Sequence, residues 1–241
     1  MSRERIRCEE VVKKFGGVTA LDGLSLTIKR GEITGIIGPN GAGKTTLFNV
    51  ITGVLSPTSG DVILDGTVIS GLETHEICHR GISRTFQSPK PLASLTVEEN
   101  LRAAQHFGAG VGGESDDDLS VSGVLETLGL EDSADSYPDQ MGIVNQKYID
   151  LARALMTGST LVLVDEIMAG LTPAEKQSFV DTFGTFHDSF GIDFVVIEHD
   201  LETIRSISDR LIVIHNGQSI ARGSPEEVLR DQEVREAYAG I

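Results

Sequence analysis

Cysteine is scarce, with Cys8 and Cys78 standing alone and far apart. Two isolated thiols build neither a disulfide framework nor a zinc cluster, so both are expected to be buried or incidental. Positive charge is scarce too: 20 Lys and Arg face 36 Asp and Glu, a formal net charge of −16 at pH 7. An extended phosphate backbone is gripped by clustered Lys and Arg, so a general polyanion binder is excluded. One small anionic ligand is not, because it needs only local backbone N–H groups and one or two cations. Long apolar runs are missing as well. The runs at 33–38 and 161–164 fall far short of the roughly 18 to 20 residues of a membrane-spanning helix. The charged start Met1-Ser2-Arg3-Glu4-Arg5 is followed by no apolar h-region, so no secretory signal is expected, and the expected location is the cytoplasm. No internal repeat is evident. With 241 residues, the chain fits one large domain or a core with an inserted subdomain.

Short apolar segments alternate with helical periodicity along most of the chain. Strands are expected at 6–12, 24–29 and 33–37, then a glycine-rich loop and a helix over 45–52. Tight-turn residues between 56 and 71, Asp65-Gly66 among them, predict a small antiparallel meander. Thr96-Val97-Glu98-Glu99 reads as a capping box opening a helix. Residues 108–118 are glycines and acids without periodicity, expected to be a mobile solvated loop, and helical patterns follow at 121–130 and 146–157. Strands at 161–164, 194–197 and 211–214 then alternate with helices opening at Thr172-Pro173 and near Leu201, and a capped helical tail begins at Ser224-Pro225. Such alternation implies a parallel α/β sheet.

Gly38-Pro39-Asn40-Gly41-Ala42-Gly43-Lys44-Thr45 satisfies G-x-x-x-x-G-K-[ST], and it lies between a predicted strand and a predicted helix, the context that gives the motif physical content. The glycines let the backbone curl so that its N–H groups face phosphate oxygens. The helix start adds its positive dipole end, Lys44 can reach the β and γ phosphates, and the Thr45 hydroxyl suits Mg²⁺. A phosphate loop alone fits kinases, GTPases and many ATPases. Asp165 and Glu166 narrow the choice: Asp165 ends a buried strand, from which it can hold Mg²⁺, and Glu166 can polarise an attacking water.

At this point the chain resembles the ATP-binding cassette ATPases over nearly its whole length. The resemblance implies an α/β P-loop NTPase (RecA-like) core with a mainly parallel sheet and an antiparallel β subdomain, formed by 1–87 and 158–241. It also implies an inserted α-helical subdomain over 88–157. ATP and Mg²⁺ are the implied cofactors, with Gly38, Asn40, Gly41, Ala42, Gly43, Lys44, Thr45 and Thr46 as the phosphate cradle. Phe15 matches the aromatic residue that stacks on adenine, Gln87 the glutamine that senses Mg²⁺ and the γ-phosphate, and His199 the histidine that contacts the γ-phosphate. Taken singly, these three also read as a core Phe, a surface Gln and a strand-end His; their order joins them. The phrases Gly81-Ile82-Ser83-Arg84-Thr85-Phe86-Gln87, Ala169-Gly170-Leu171-Thr172-Pro173 and Glu236-Ala237-Tyr238-Ala239-Gly240 look like those of branched-chain amino acid importers, and importers of urea or amides share them. Transmembrane permease subunits and a second cassette are the implied partners, with 88–95 as the contact for the permease and the inner face of the cell membrane as the station.

Two places depart from the family's pattern. Where Leu-Ser-Gly-Gly-Gln is usual, this chain has Met141-Gly142-Ile143-Val144-Asn145. Gly142 lacks the hydroxyl, and β-branched Ile143 and Val144 neither take positive φ cheaply nor allow the same close backbone approach. An asymmetric dimer with a different partner cassette is therefore expected, against the alternative that the helix start still presents enough N–H groups for both sites to work. Thr172 also stands where an aspartate is usual. Two other classes stay open: a soluble cassette ATPase acting on nucleic acid or the ribosome, and a nucleotide-sensing regulatory subunit. The first normally needs a second cassette, a coiled-coil insert or a basic face, none of which is evident, so no nucleic-acid partner is expected.

Overall fold

A computed structural model describes residues 4–108 and 119–239. Its elements run β1 (Glu4–Phe15), β2 (Val18–Lys29), β3 (Ile33–Ile37), α1 (Lys44–Ile51), β4 (Ser59–Leu64), β5 (Thr67–Val68), α2 (Thr74–Cys78), β6 (Ile82–Arg84), α3 (Val97–Phe107) and α4 (Val121–Thr127). They continue with α5 (Ile143–Met156), β7 (Leu161–Asp165), α6 (Pro173–Phe190), β8 (Asp193–Ile197), α7 (Leu201–Ile207), β9 (Arg210–His215), β10 (Gln218–Gly223), α8 (Pro225–Arg230) and α9 (Gln232–Ala239). The chain divides into two compact units, 1–77 with 193–241, and 78–192.

In the first unit an antiparallel sheet has the order β2-β1-β4-β5. Buried Ile6, Cys8 and Val11 line one face of β1, and the alternation skips a residue because Glu10 takes φ +45° and bulges the strand. Each of the five residues of β3 is buried, as expected of a parallel strand covered on both faces. It runs parallel to β8 on one side, with Ile36 opposite Ile197, and to β9 on the other, with Ile36 opposite Ile212. Antiparallel β10 joins β9 through a tight turn at Asn216 and Gly217, both at positive φ.

In the second unit β6 and β7 pair in parallel, with Arg84 opposite Leu163. Helix α6 turns Phe179, Phe183 and Phe186 inward, all fully buried, and each such side chain contributes about 2 to 3 kcal/mol. Tyr148 of α5 stacks flat on Phe179 at 4.1 Å between ring centroids.

The α/β class with parallel and antiparallel sheets is as expected, and three elements are additional: α2, β6 and β10. Residues 109–118 of the expected loop over 108–118 lie outside the described residues. Among the described residues no helix is long and apolar enough to cross a membrane. Burial pushes the Cys8 thiol up to about 12, and burial raises that of Cys78 while a hydrogen bond with the Thr157 side chain pulls it back.

Candidate active site

The glycine-rich loop leaves β3 at Gly38 and enters α1 at Gly43. Gly38 (φ +151°), Gly41 (+79°) and Gly43 (+107°) all use backbone that side-chain-bearing residues rarely adopt. A Cβ on Gly38 would collide with the Ile214 carbonyl, and one on Gly43 would stand 2.6 Å from the Ala20 oxygen. At Gly41 the space is open. Two walls therefore press the loop inward while its crest stays clear. Lys44 is buried, and its Nζ donates to the carbonyls of Gly38 at 2.7 Å and Pro39 at 3.0 Å, drawing the loop round the ammonium. Ala42 is buried, Thr46 partly so, and Asn40, Gly41 and Thr45 are exposed. Support comes from a turn not singled out in the sequence: the Gly217 N–H donates to the Ala42 carbonyl at 2.9 Å. The Asn216-Gly217 pair after an apolar run is itself a readable hairpin signal.

On the same unit, Phe15 ends β1 with its ring 47% exposed and the Lys13 ammonium 5.3 Å from the ring centroid. His199 is exposed just past β8. Asp200 beside it caps α7, accepting from the N–H groups of Glu202 and Thr203.

The second unit carries Gln87, Asp165 and Glu166. Asp165 ends β7 as a buried carboxylate, 2.6 Å from the Arg84 guanidinium, with both side chains about 5% exposed. Arg84 also lies 5.3 Å from the centroid of the Phe86 ring. Glu166 takes φ +51°, a conformation costing about 1 to 3 kcal/mol for a residue with a side chain. Gln87 Nε2 donates to Glu166 Oε2 at 2.7 Å, so two residues singled out separately are in contact. Asp150 of α5 was not singled out, yet its buried carboxylate accepts from the Phe86 and Lys90 N–H groups and from Arg153. Burial raises its pKa, and these donors pull it back.

The altered 141–145 segment corrects one expectation. Gly142 is the N-cap of α5, with φ −63° and ψ 158°, and Ile143 and Val144 enter the right-handed helix directly. Positive φ is therefore not demanded of either residue, and a β-branched residue in a helix costs only a few tenths of a kcal/mol. What remains of the objection is bulk, with the Ile143 side chain 55% exposed. Thr172 has a definite local role: it caps α6 in a reciprocal box with Glu175.

The caps follow a pattern. Helices α3, α4, α6, α7 and α8 each have a side chain accepting from a first-turn N–H. Helices α1 and α5 start on Gly43 and Gly142 with no such bond, leaving first-turn N–H groups for another acceptor. An open crest, an uncapped helix start and a lysine folded beneath suit a polyphosphate. Exposed Thr45 and carboxylate Asp165 are oxygen donors of the kind Mg²⁺ takes.

Comparison with known proteins finds relatives along the whole chain. A family model described as ABC transporter matches residues 21–169, and one described as branched-chain amino acid ATP-binding cassette transporter matches 218–238. The chain is similar to the high-affinity branched-chain amino acid transport ATP-binding protein BraF of Pseudomonas aeruginosa, 34% identical over 253 aligned residues, covering 100% of this chain and 99% of the relative. A probable branched-chain amino acid transport ATP-binding protein of Methanocaldococcus jannaschii is 37% identical, with 98% of each covered. The crystal structure of an ATP-binding cassette of an ABC transporter in its ADP conformation superposes with a TM-score of 0.87 at 35% identity, covering 100% of both chains. With its glycine loop, its paired acids and this full-length likeness, the chain belongs to the ABC transporter family and is an ATP-binding cassette ATPase.

Proposed function

We propose that the chain is the ATP-hydrolysing subunit of an importer for branched-chain amino acids or a related small polar solute. It works as one of two cassettes beneath transmembrane permease subunits, peripheral on the cytoplasmic face of the membrane. The observation that carries this reading is the phosphate loop, curled round Lys44 and opening an uncapped helix, in a chain alike along its whole length to transport ATP-binding proteins.

Each residue then has a task. The N–H groups of Gly41, Ala42, Gly43, Lys44, Thr45 and Thr46 cradle the phosphates, with Gly38 and Asn40 shaping the loop, and Lys44 exchanges its carbonyl partners for phosphate oxygens. Phe15 offers its ring face to adenine. Thr45, Asp165 and Gln87 are the residues that would hold Mg²⁺, which when bound neutralises charge on the β and γ phosphates. Glu166 takes a proton from the attacking water, and His199 hydrogen-bonds the γ-phosphate. The working division is a nucleotide core of 1–87 with 158–241 and a helical subdomain of 88–157, in which 88–95 receives the permease.

The partner cassette is a different chain. Gly142, Ile143 and Val144 put bulk and no hydroxyl at the start of α5, so the site this segment closes is weak, while Lys44, Asp165, Glu166 and His199 serve a competent site closed by the partner's signature. Nucleic acid is no partner at a net charge of −16.

Hydrolysis assays with and without the partner cassette test the whole reading. Glu166→Gln is expected to keep ATP binding and lose turnover, and unchanged turnover would defeat the role of Glu166. Rapid hydrolysis by the chain alone as a homodimer would defeat the need for a different partner. Salt-dependent binding of DNA or RNA would favour a soluble cassette ATPase instead.

A further inference from the structure

The segment leaving β6 is laid along β7 residue by residue. Arg84 stands opposite Leu163 in the parallel ladder, the Thr85 N–H donates to the Leu163 carbonyl at 2.9 Å, and Thr85 Oγ1 accepts from the Asp165 N–H at 3.4 Å. Side chains continue the pairing: Arg84 donates to Asp165 Oδ2 at 2.6 Å, and Gln87 to Glu166 Oε2 at 2.7 Å. The Arg84–Asp165 pair is hidden from water, and the guanidinium also lies 5.3 Å from the centroid of the Phe86 ring. An arginine placed between a ring and a carboxylate presents its planar fork in a set direction. Gripping one carboxylate oxygen by a charge-assisted bond then sets where the other points. A carboxylate offers about four lone-pair sites, so one guanidinium nitrogen does not exhaust it. Nothing in the nucleotide reading above gives Arg84 a task.

We infer that Arg84 is a positioning residue for Asp165, aligning its carboxylate for Mg²⁺ and so setting the metal affinity of the nucleotide site. The inference rests on the reading above, in which Asp165 is among the residues that would hold Mg²⁺. Stability alone is a poor reason for such a pair, because the desolvation of two buried charges offsets much of their attraction. Its place at the tip of β7, one residue before Glu166, suits a geometric task instead. Groups that orient a metal-binding side chain without touching the metal commonly change metal affinity by about ten- to a hundredfold. A lysine in the same place would bring a point charge without the planar fork.

The test is Arg84→Gln in the full chain, with Mn²⁺ as the probe and ADP present. Electron paramagnetic resonance counts the free Mn²⁺, and its Kd is expected to rise about ten- to a hundredfold, while ADP affinity measured calorimetrically in EDTA stays at the wild-type value. Arg84 in a merely structural role would lower the melting temperature and leave the Mn²⁺ Kd of the folded protein alone. An unchanged Mn²⁺ Kd therefore overturns the inference, and so does an equal loss of ADP affinity in EDTA. Should Arg84→Gln not fold, Arg84→Lys decides by the same titration: a raised Mn²⁺ Kd supports the inference and a wild-type one overturns it. Wild type that takes up no ADP would defeat the nucleotide reading, and wild type that takes up ADP but no Mn²⁺ would defeat the metal reading, so these failures are distinct from that of Arg84.

Discussion

Arg84 and Asp165 form a buried ion pair, the last residue of β6 reaching the last residue of β7 at 2.6 Å. Removing one partner of such a pair leaves an uncompensated charge away from water, at a cost of about 3 to 5 kcal/mol. Arg84→Ala is expected to lose stability on that scale in urea unfolding. Arg84→Lys should recover only part of it, because an ammonium cannot reproduce the planar contacts of the guanidinium to Asp165 and the Phe86 ring. A loss below about 1 kcal/mol for Arg84→Ala would show the pair to be an exposed-type contact of little worth.

Two glycines of the phosphate loop differ in what surrounds them. Gly41→Ala meets open space at φ +79° and should cost about 1 to 2 kcal/mol of backbone strain. Gly38→Ala adds a collision with the Ile214 carbonyl and is expected to destabilise the chain substantially more. Urea midpoints of the two variants compare them directly, and equal losses would mean that the loop moves freely away from β9.

Lys44→Ala removes a buried ammonium with two carbonyl acceptors. Charged hydrogen bonds contribute about 1.5 to 3 kcal/mol, so titration with a fluorescent ATP analogue should show affinity down by roughly ten- to a hundredfold. Undiminished affinity would remove the lysine from the phosphate site.

Glu175 and Glu227 are held below the ordinary carboxylate value of 4.5, first by the cap residue's backbone N–H and then by its hydroxyl, at Thr172 and Ser224 respectively. A carboxylate with a depressed folded pKa contributes stability above its unfolded pKa and loses it as pH falls through the folded one. Wild type should therefore lose cap stability below pH 4.5, while the double variant Glu175→Gln, Glu227→Gln should show a shallower acid limb in urea midpoint against pH. Parallel limbs would speak against these caps.

The chemistry-bearing loop was readable because glycine spacing, Lys44 and the flanking strand and helix are all local signals. Capping boxes at Thr96, Thr172 and Ser224 were readable for the same reason, and all three are present in the structure. Strand β6 escaped notice because its three residues, Ile82 to Arg84, are too few to show a period. Strand β10, with its polar and small residues Gln218 to Gly223, owes its form to pairing with β9. The start of α5 was placed three residues late, at 146, whereas the chain turns helical at Ile143. Contacts between residues far apart in sequence, such as Arg84 with Asp165 or Gln87 with Glu166, leave no mark in local spacing.

The two thiols have unequal prospects as chemical handles. Cys8 is 2% exposed and its thiol is pushed up to about 12, whereas Cys78 is partly open to solvent. A maleimide dye in mildly alkaline buffer should therefore mark Cys78 and spare Cys8, because only the accessible thiolate reacts. The native chain thus offers one attachment point for fluorescence at the boundary of its second unit, without engineering a cysteine-free background first.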